Sequence, residues 1–156
     1  MAGVLDPSQL LEILEGNRRL TVRTIGAFSE PDLFHYSPVE PMRPWAAMVR
    51  EIIAMEAAYV RGIATGEWAY TDNYKGVTMA AELLAGCAAV RQQTRELWPR
   101  ITAERLLTVE QDPLYGGATS HLNRLLYGLE NEIHHRGQAY VYLRLRGTEP
   151  PHFYER

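Results

Sequence analysis

The segment from Glu130 to Gln138 gathers more side chains able to bind a metal or carry a proton than any other part of the sequence. It contains two of the five histidines, His134 and His135, with acids and amides around them. Asn131 and His135 are four residues apart, so on a helix they share a face and their side chains can converge on one ion. A metal site on that face is therefore one hypothesis.

The same spacing also fits a solvated helix face. At about 100° per residue, Asn131 points roughly 160° away from Leu129, which belongs to the apolar stripe of this segment. A polar stripe opposite an apolar stripe usually faces solvent, and periodicity alone favours this interpretation. Glu130 and His134 are also four residues apart, which predicts a simple acid–imidazole contact within the helix.

Two acids lie in or beside the apolar stripe of an earlier helical segment. Glu51 is at the edge of that stripe, so we expect it to be paired, bound to metal or at the rim of a bundle. Glu56 is closer to the centre of the stripe, which predicts an ion pair with an arginine of another helix, either Arg18 or Arg136.

Apolar residues at helical spacing predict four long helices, over about 7–26, 43–64, 78–98 and 119–146. Asp6 followed by Pro7 is a typical helix start. We expect Thr78 to cap the third helix and Thr119 or Ser120 to cap the fourth. Four helices of this length predict an all-α fold, a four-helix bundle, whose sites are built from inward side chains on facing helices.

The connections carry weaker signals. Three prolines predict a long irregular connection over 28–41. A short turn is expected at about 102–107, followed by irregular chain to Gly117, and no alternation typical of a strand is visible. His121 is expected at the surface or an interface, whereas Cys87 follows the apolar spacing of its helix and is expected in the core.

Composition limits the class of protein. The 156 residues are 46% hydrophobic and 22% charged, which predicts a single globular domain over residues 1–156. A net charge of -3 without a basic stripe argues against nucleic-acid binding. One cysteine allows no internal disulfide, which is compatible with a cytoplasmic location. We expect no signal peptide and no membrane-spanning segment.

Two segments carry a pattern that resembles the DinB/YfiT-like superfamily. The last helix contains His134-His135-Arg136-Gly137-Gln138 followed by Tyr142-Leu143-Arg144, and the second helix opens with Arg43-Pro44-Trp45. The helix lengths and loop placement resemble that superfamily over most of the chain. The resemblance implies a four-helix bundle, commonly a homodimer, with one divalent metal (often zinc or nickel) bound by three histidines. It also implies that some relatives are metal-dependent transferases that join low-molecular-weight thiols to electrophiles.

The implied metal positions carry only one histidine in this sequence. They are one residue of the second helix and two residues of the fourth, four apart, which correspond here to Glu51, Asn131 and His135. A carboxylate oxygen still binds zinc, but an amide oxygen is a weak neutral donor. We therefore expect a degenerate site, in which a divalent metal is held weakly or is replaced by a charge-assisted contact between Glu51 and His135.

Three functions remain open at this stage. The favoured one is a small-molecule-binding protein of unassigned activity that keeps the fold without the catalytic metal. The alternative is a divalent-metal-dependent enzyme, such as a low-molecular-weight-thiol S-transferase or a hydrolase, whose metal ligands are Glu51, Asn131 and His135. The third is a structural role, in which the polar stripe is surface and the apolar remainder is a dimer interface. The pattern assigns no catalytic residue and leaves open whether the protein is an enzyme.

Overall fold

A computed structural model describes residues 6–114 and 116–156. Its helices are α1 (Pro7–Ala27), α2 (Glu30–His35), α3 (Trp45–Thr65), α4 (Ala80–Leu97), α5 (Ala103–Leu107) and α6 (His121–Leu145). A turn of 3-10 helix, Trp98–Arg100, follows α4 directly. α3 packs against α4 and α6, and α1 packs against the same two helices. The four long helices thus form the predicted bundle.

Short-range chemistry sets the helix ends. The side chain of Asp6 accepts a hydrogen bond of 2.8 Å from the backbone N–H of Ser8 at the start of α1. Ser120 caps α6 in the same way, by accepting from the N–H of Asn123 at 3.2 Å. Gly66 ends α3 with a φ of 80°, a left-handed conformation that side chains with a Cβ rarely adopt.

Three local predictions were wrong. The connection over 28–41 contains α2, whose N-terminus is capped by Ser29. Thr78 does not cap α4; Met79 is the capping position, and the Glu30 side chain accepts from the N–H of Ala80 instead. The chain also forms a small antiparallel hairpin of β1 (Val109–Gln111) and β2 (Ala118–Ser120), which leads into α6. Strands of three residues are too short to show alternation.

The bundle has an apolar interior with two clusters. One surrounds Trp45, Ile53 and Tyr142 near the start of α3, and the other surrounds Tyr59, Ile63 and Leu125 towards its end. α3 contributes to both clusters and is therefore the central helix of the core. Within the described part of the chain, no helix has both the length and the apolar character needed to cross a lipid bilayer.

Candidate polar site between α3 and α6

The side chains of Glu51, Asn131 and His135 lie together where α3 packs against α6. Glu51 is on the second turn of α3, and the other two are one turn apart on α6. The Oε1 atom of Glu51 is 3.1 Å from Nδ2 of Asn131 and 3.0 Å from Nε2 of His135. Nδ2 of Asn131 is 3.2 Å from that same Nε2, so the three polar atoms form a nearly equilateral triangle.

Hydrogen bonding within the triangle centres on Glu51. A carboxylate oxygen has two lone pairs, so Oε1 accepts from the Asn131 amide and, in the tautomer that carries the ring proton on Nε2, from His135. On the other side of the imidazole, Nδ1 lies 3.3 Å from Oε1 of Gln138. The Asn131 amide oxygen, by contrast, is buried and has no hydrogen-bond partner within the described structure.

Arg43 supplies a positive charge to this site. Its Nη1 lies 2.6 Å from Oε2 of Glu51, while its backbone carbonyl accepts a 2.9 Å hydrogen bond from the hydroxyl of Tyr142. Burial by itself would raise the pKa of Glu51, but hydrogen bonds from His135, Asn131 and Arg43 together hold that pKa at about 2. Glu51 is therefore an anion at neutral pH, with its two oxygens bonded to different partners.

The solvated-face interpretation of α6 was wrong for His135, and with it the part of the structural hypothesis in which this polar stripe is surface. His135 is only 7% exposed, and Asn131 is half-buried against Glu51 rather than turned to bulk solvent. The predicted contact between Glu130 and His134 is also absent from the described hydrogen bonds and ion pairs; Nε2 of His134 instead lies 3.4 Å from the Gln138 amide.

Arg43 was not recognised as part of the site from the sequence. It lies before the first turn of α3 and eight residues ahead of Glu51, a separation of about two helical turns. Arg43 precedes the helix, so helical periodicity does not apply to it, and even on a helix eight residues would correspond to a rotation of about 80°. An arginine at a helix start is also common, so the sequence pattern alone does not place Arg43 beside Glu51.

A second, largely buried polar cluster joins all four long helices through Glu56 and Arg18. Its carboxylate lies 2.6 Å from Arg18 on α1 and 2.9 Å from Arg91 on α4, and it accepts a 2.5 Å hydrogen bond from the Thr94 hydroxyl. Arg18 also contacts Glu132 on α6 at 3.0 Å. The predicted pair of Glu56 with Arg18 is thereby confirmed, and Arg91 is an additional partner.

Of the two remaining sequence predictions, the one for Cys87 is confirmed and the one for His121 is wrong. Cys87 is buried in the core as expected, and burial raises the pKa of its thiol to about 11. His121 was expected at the surface or an interface but is completely buried within the chain. Its Nδ1 is 2.8 Å from Nη1 of Arg124, and its ring stacks on Trp68 with centroids 5.8 Å apart. Burial, with the nearby charge of Arg105, lowers the pKa of His121.

Possible metal ligands are sparse in this structure. Over residues 6–114 and 116–156, no three His, Cys, Asp or Glu side chains are grouped so that they could hold one ion. The triangle of Glu51, Asn131 and His135 needs an amide as its third donor. The site thus offers one carboxylate, one imidazole and one amide.

Comparison with known proteins places these features in a family context. The sequence model of the DinB family matches residues 1–156. A solved structure of the DinB-like protein YjoA from Bacillus subtilis superposes with a TM-score of 0.75 and 23% identity, covering 95% of this chain and 99% of that one. The solved structure of a DinB-like protein from Bacillus cereus superposes with a TM-score of 0.74 and 20% identity, covering 94% of this chain and 97% of that one. No curated protein matches the sequence.

Proposed function

The chain belongs to the DinB family, and from the geometry of its polar site we propose that it is a metal-independent member that binds a small molecule. One observation carries the proposal. Oε1 of Glu51 is contacted directly by Nδ2 of Asn131 and Nε2 of His135, at 3.1 and 3.0 Å, while Oε2 is bonded to Arg43. Both carboxylate oxygens of Glu51 are therefore already bonded to side chains of the site.

The donor set fits a divalent transition metal poorly. Zinc prefers imidazole, thiolate and carboxylate ligands, and an amide oxygen is a weak neutral donor. The only anionic donor, Glu51, is already neutralised by the guanidinium of Arg43. The Asn131 amide directs its nitrogen, which cannot bind a metal, towards the other two side chains. Arg43 supplies the positive charge that a metal would otherwise bring.

In this proposal the polar site has a positioning role. The contacts of Glu51 tie α3 to α6, and the carbonyl of Arg43 holds the Tyr142 hydroxyl, so the start of α3 is fixed against the second half of α6. Charge-assisted hydrogen bonds of this kind are stronger than neutral ones and fix geometry. The network replaces coordination as the link between the two helices.

Ligand binding is proposed on the outer grooves of the bundle. Cavities of about 570 and 600 Å³ lie along α6 and between α1 and α4, and neither lining includes Glu51, Asn131 or His135. Both volumes lie in the range of small-molecule sites, roughly 300–1,000 Å³.

A second candidate, a divalent-metal-dependent enzyme, is favoured by one specific observation. The buried Oδ1 of Asn131 has no partner within the described structure, and turning the amide over would direct that oxygen towards Glu51 and His135. Donors around a tetrahedral zinc ion stand roughly 3.3–3.6 Å apart, given bonds of about 2.0–2.2 Å. The polar atoms of Glu51, Asn131 and His135 are 3.0–3.2 Å apart, slightly closer than the donors around a zinc ion.

A zinc titration against a chelating indicator tests the proposal. The native protein is expected to bind zinc weakly or not at all. The double variant Glu51→His with Asn131→His restores three imidazoles and is expected to bind at least roughly tenfold more tightly, because each imidazole replaces a poorer donor. Glu130→His adds a histidine to the exposed side of the same helix and is the matched control. The proposal would be contradicted if the native protein bound one zinc ion as tightly as the double variant does.

A further inference from the structure

One of the outer grooves has a distinctive chemistry. A cavity of about 570 Å³ lies between the second half of α6 and the segment 149–156. Gly137, in its lining, follows His135 by two residues, and two residues correspond to roughly 200° of rotation around a helix. The cavity is therefore on the side of α6 opposite the polar site, and it involves none of that site's side chains.

The floor of the cavity contains a buried arginine without a counter-ion. Arg136 is 6% exposed, yet it lines the cavity. Its Nη1 donates to the carbonyl of Asn17 and the hydroxyl of Thr21, both at 3.1 Å, and its Nη2 donates to Oδ1 of Asn17 at 2.9 Å. All three acceptors are neutral, and no carboxylate of the described residues forms an ion pair with Arg136.

A buried, unpaired guanidinium is stabilised by binding an anion. A cation removed from water is costly unless it is paired, and burial accordingly lowers the pKa of Arg136. Arg18 on α1 is also buried, but its charge is paired, since it contacts both Glu56 and Glu132. The negative charge of Glu132 offsets part of this lowering of the Arg136 pKa, but its carboxylate is bonded to Arg18 and Thr21 rather than to Arg136.

The mouth of the cavity is also positive. Arg144 and Arg156 line it, and neither belongs to an ion pair among the described residues. Glu149 is the only acidic side chain in the lining. Three arginine side chains against one acidic side chain make this a locally cationic site on a chain whose net charge is -3, and such a concave site attracts small anions.

The walls are apolar and aromatic. Two prolines, Pro150 and Pro151, and two aromatic side chains, Phe153 and Tyr154, form one side. Phe153 and Tyr154 are 69% and 66% exposed, so most of their surface is free to contact a ligand. Apolar walls with a few convergent polar groups are typical of small-molecule sites.

We propose that this cavity binds a small organic anion with an aromatic body, whose acidic group pairs with Arg136 and Arg144 and whose ring packs against Phe153 and Tyr154. The proposal rests on the proposed function in one respect, that the ligand is bound away from Glu51. It names the class of ligand: an aromatic carboxylate, sulfonate or phosphate.

Fluorescence titration with 1-anilinonaphthalene-8-sulfonate tests this assignment, and the neutral N-phenyl-1-naphthylamine serves as the matched ligand without the anionic group. We expect saturable binding of one sulfonate per chain. Arg136→Gln should weaken it roughly tenfold or more, because a charge-assisted hydrogen bond is lost, and should leave binding of the neutral amine nearly unchanged. Arg100→Gln, which removes an exposed arginine outside the lining, is the control variant.

Arg144→Glu and Tyr154→Ala keep the test decisive if Arg136→Gln fails to fold, because both native side chains are largely exposed. Arg144→Glu should weaken the sulfonate selectively, and Tyr154→Ala should weaken both ligands. Equal affinity for the two ligands, or no response to any of these substitutions, would overturn the assignment. So would sedimentation data showing that a second copy of the chain covers the cavity and excludes the sulfonate. Tight zinc binding at Glu51 would overturn the proposed function alone and leave the sulfonate result standing.

Discussion

Replacing Glu56 by glutamine tests how the bundle is held together. Among the described residues, Glu56 is the only carboxylate that contacts both Arg18 and Arg91, through pairs of 2.6 and 2.9 Å. The substitution keeps the size of the side chain and an oxygen that can accept from Thr94. It removes the negative charge and leaves Glu132 as the only carboxylate paired with either arginine within the described residues.

The expected cost follows from burial. Side-chain exposure in the Arg18–Glu56 pair is 5% and 9%, so water cannot screen the unpaired charge. Removing one partner of a buried ion pair typically costs about 3–5 kcal/mol. For a chain of this size, each kcal/mol shifts Tm by about 2–4 °C, so Glu56→Gln should lower Tm by roughly 6–20 °C.

Thermal unfolding by circular dichroism measures this effect, with Glu67→Gln as the control. Glu67 pairs with Arg61 at 2.7 Å, but the two side chains are 67% and 50% exposed, so its loss should cost under about 1 kcal/mol. A Tm for Glu56→Gln that matches the control would refute the reasoning.

The same variant gives a pH signature. Burial would raise the pKa of Glu56, but the charges of Arg18 and Arg91 outweigh it and hold the pKa at about 2, below the ordinary 4.5. A depressed folded-state pKa contributes stability above pH 4.5 that is lost as the pH falls towards about 2. Urea denaturation between those pH values should therefore show a steeper decline for the native protein than for Glu56→Gln. Parallel declines would argue against this role of the carboxylate.

Three further outcomes are expected. Glu51→Gln should lower the free energy of unfolding in urea by about 1–2 kcal/mol, since a partly exposed charged hydrogen-bond acceptor is lost, and an unchanged value would mean that the polar site does not tie the helices together. Gly62→Ala should lower the free energy of unfolding by about 1–3 kcal/mol, because a Cβ there would lie 2.1 Å from the Trp68 ring. At the control position Gly128, an added Cβ meets nothing within 4 Å, so Gly128→Ala should leave that free energy unchanged or raise it. Cys87, with a thiol pKa of about 11, should react with a disulfide reagent at pH 8 only after unfolding; fast reaction of the folded protein would contradict its burial.

The long helices could be predicted because their signals are local. Apolar spacing and the caps at Asp6 and Ser120 depend only on neighbouring residues, and the predicted bounds differ from the structure by about two residues. α2 and the hairpin were missed because each is too short for a periodic signal. The Thr78 cap was wrong because the partner of the Ala80 N–H, Glu30, lies 50 residues away in sequence.

The candidate site could be located only in part. Periodicity placed the face of Asn131 and His135 towards solvent because Asn131 was compared with Leu129 alone. α6 packs against both α1 and α3, so it buries more than one side. Polar residues on the second buried side, such as Glu132 and Arg136, are hidden from a hydrophobicity pattern, and their partners lie more than 100 residues away. The resemblance to a family, rather than periodicity, grouped Asn131 and His135 with Glu51, and these three side chains are in contact.

Metal analysis of the native protein tests the central claim most directly. Inductively coupled plasma mass spectrometry of protein purified without a histidine tag reports the ions that are bound per chain. Because Glu51 is bonded to Asn131, His135 and Arg43, we expect zinc and nickel contents far below one ion per chain. A content close to one ion per chain that Glu51→Gln abolishes would contradict the account and favour the metal-dependent enzyme.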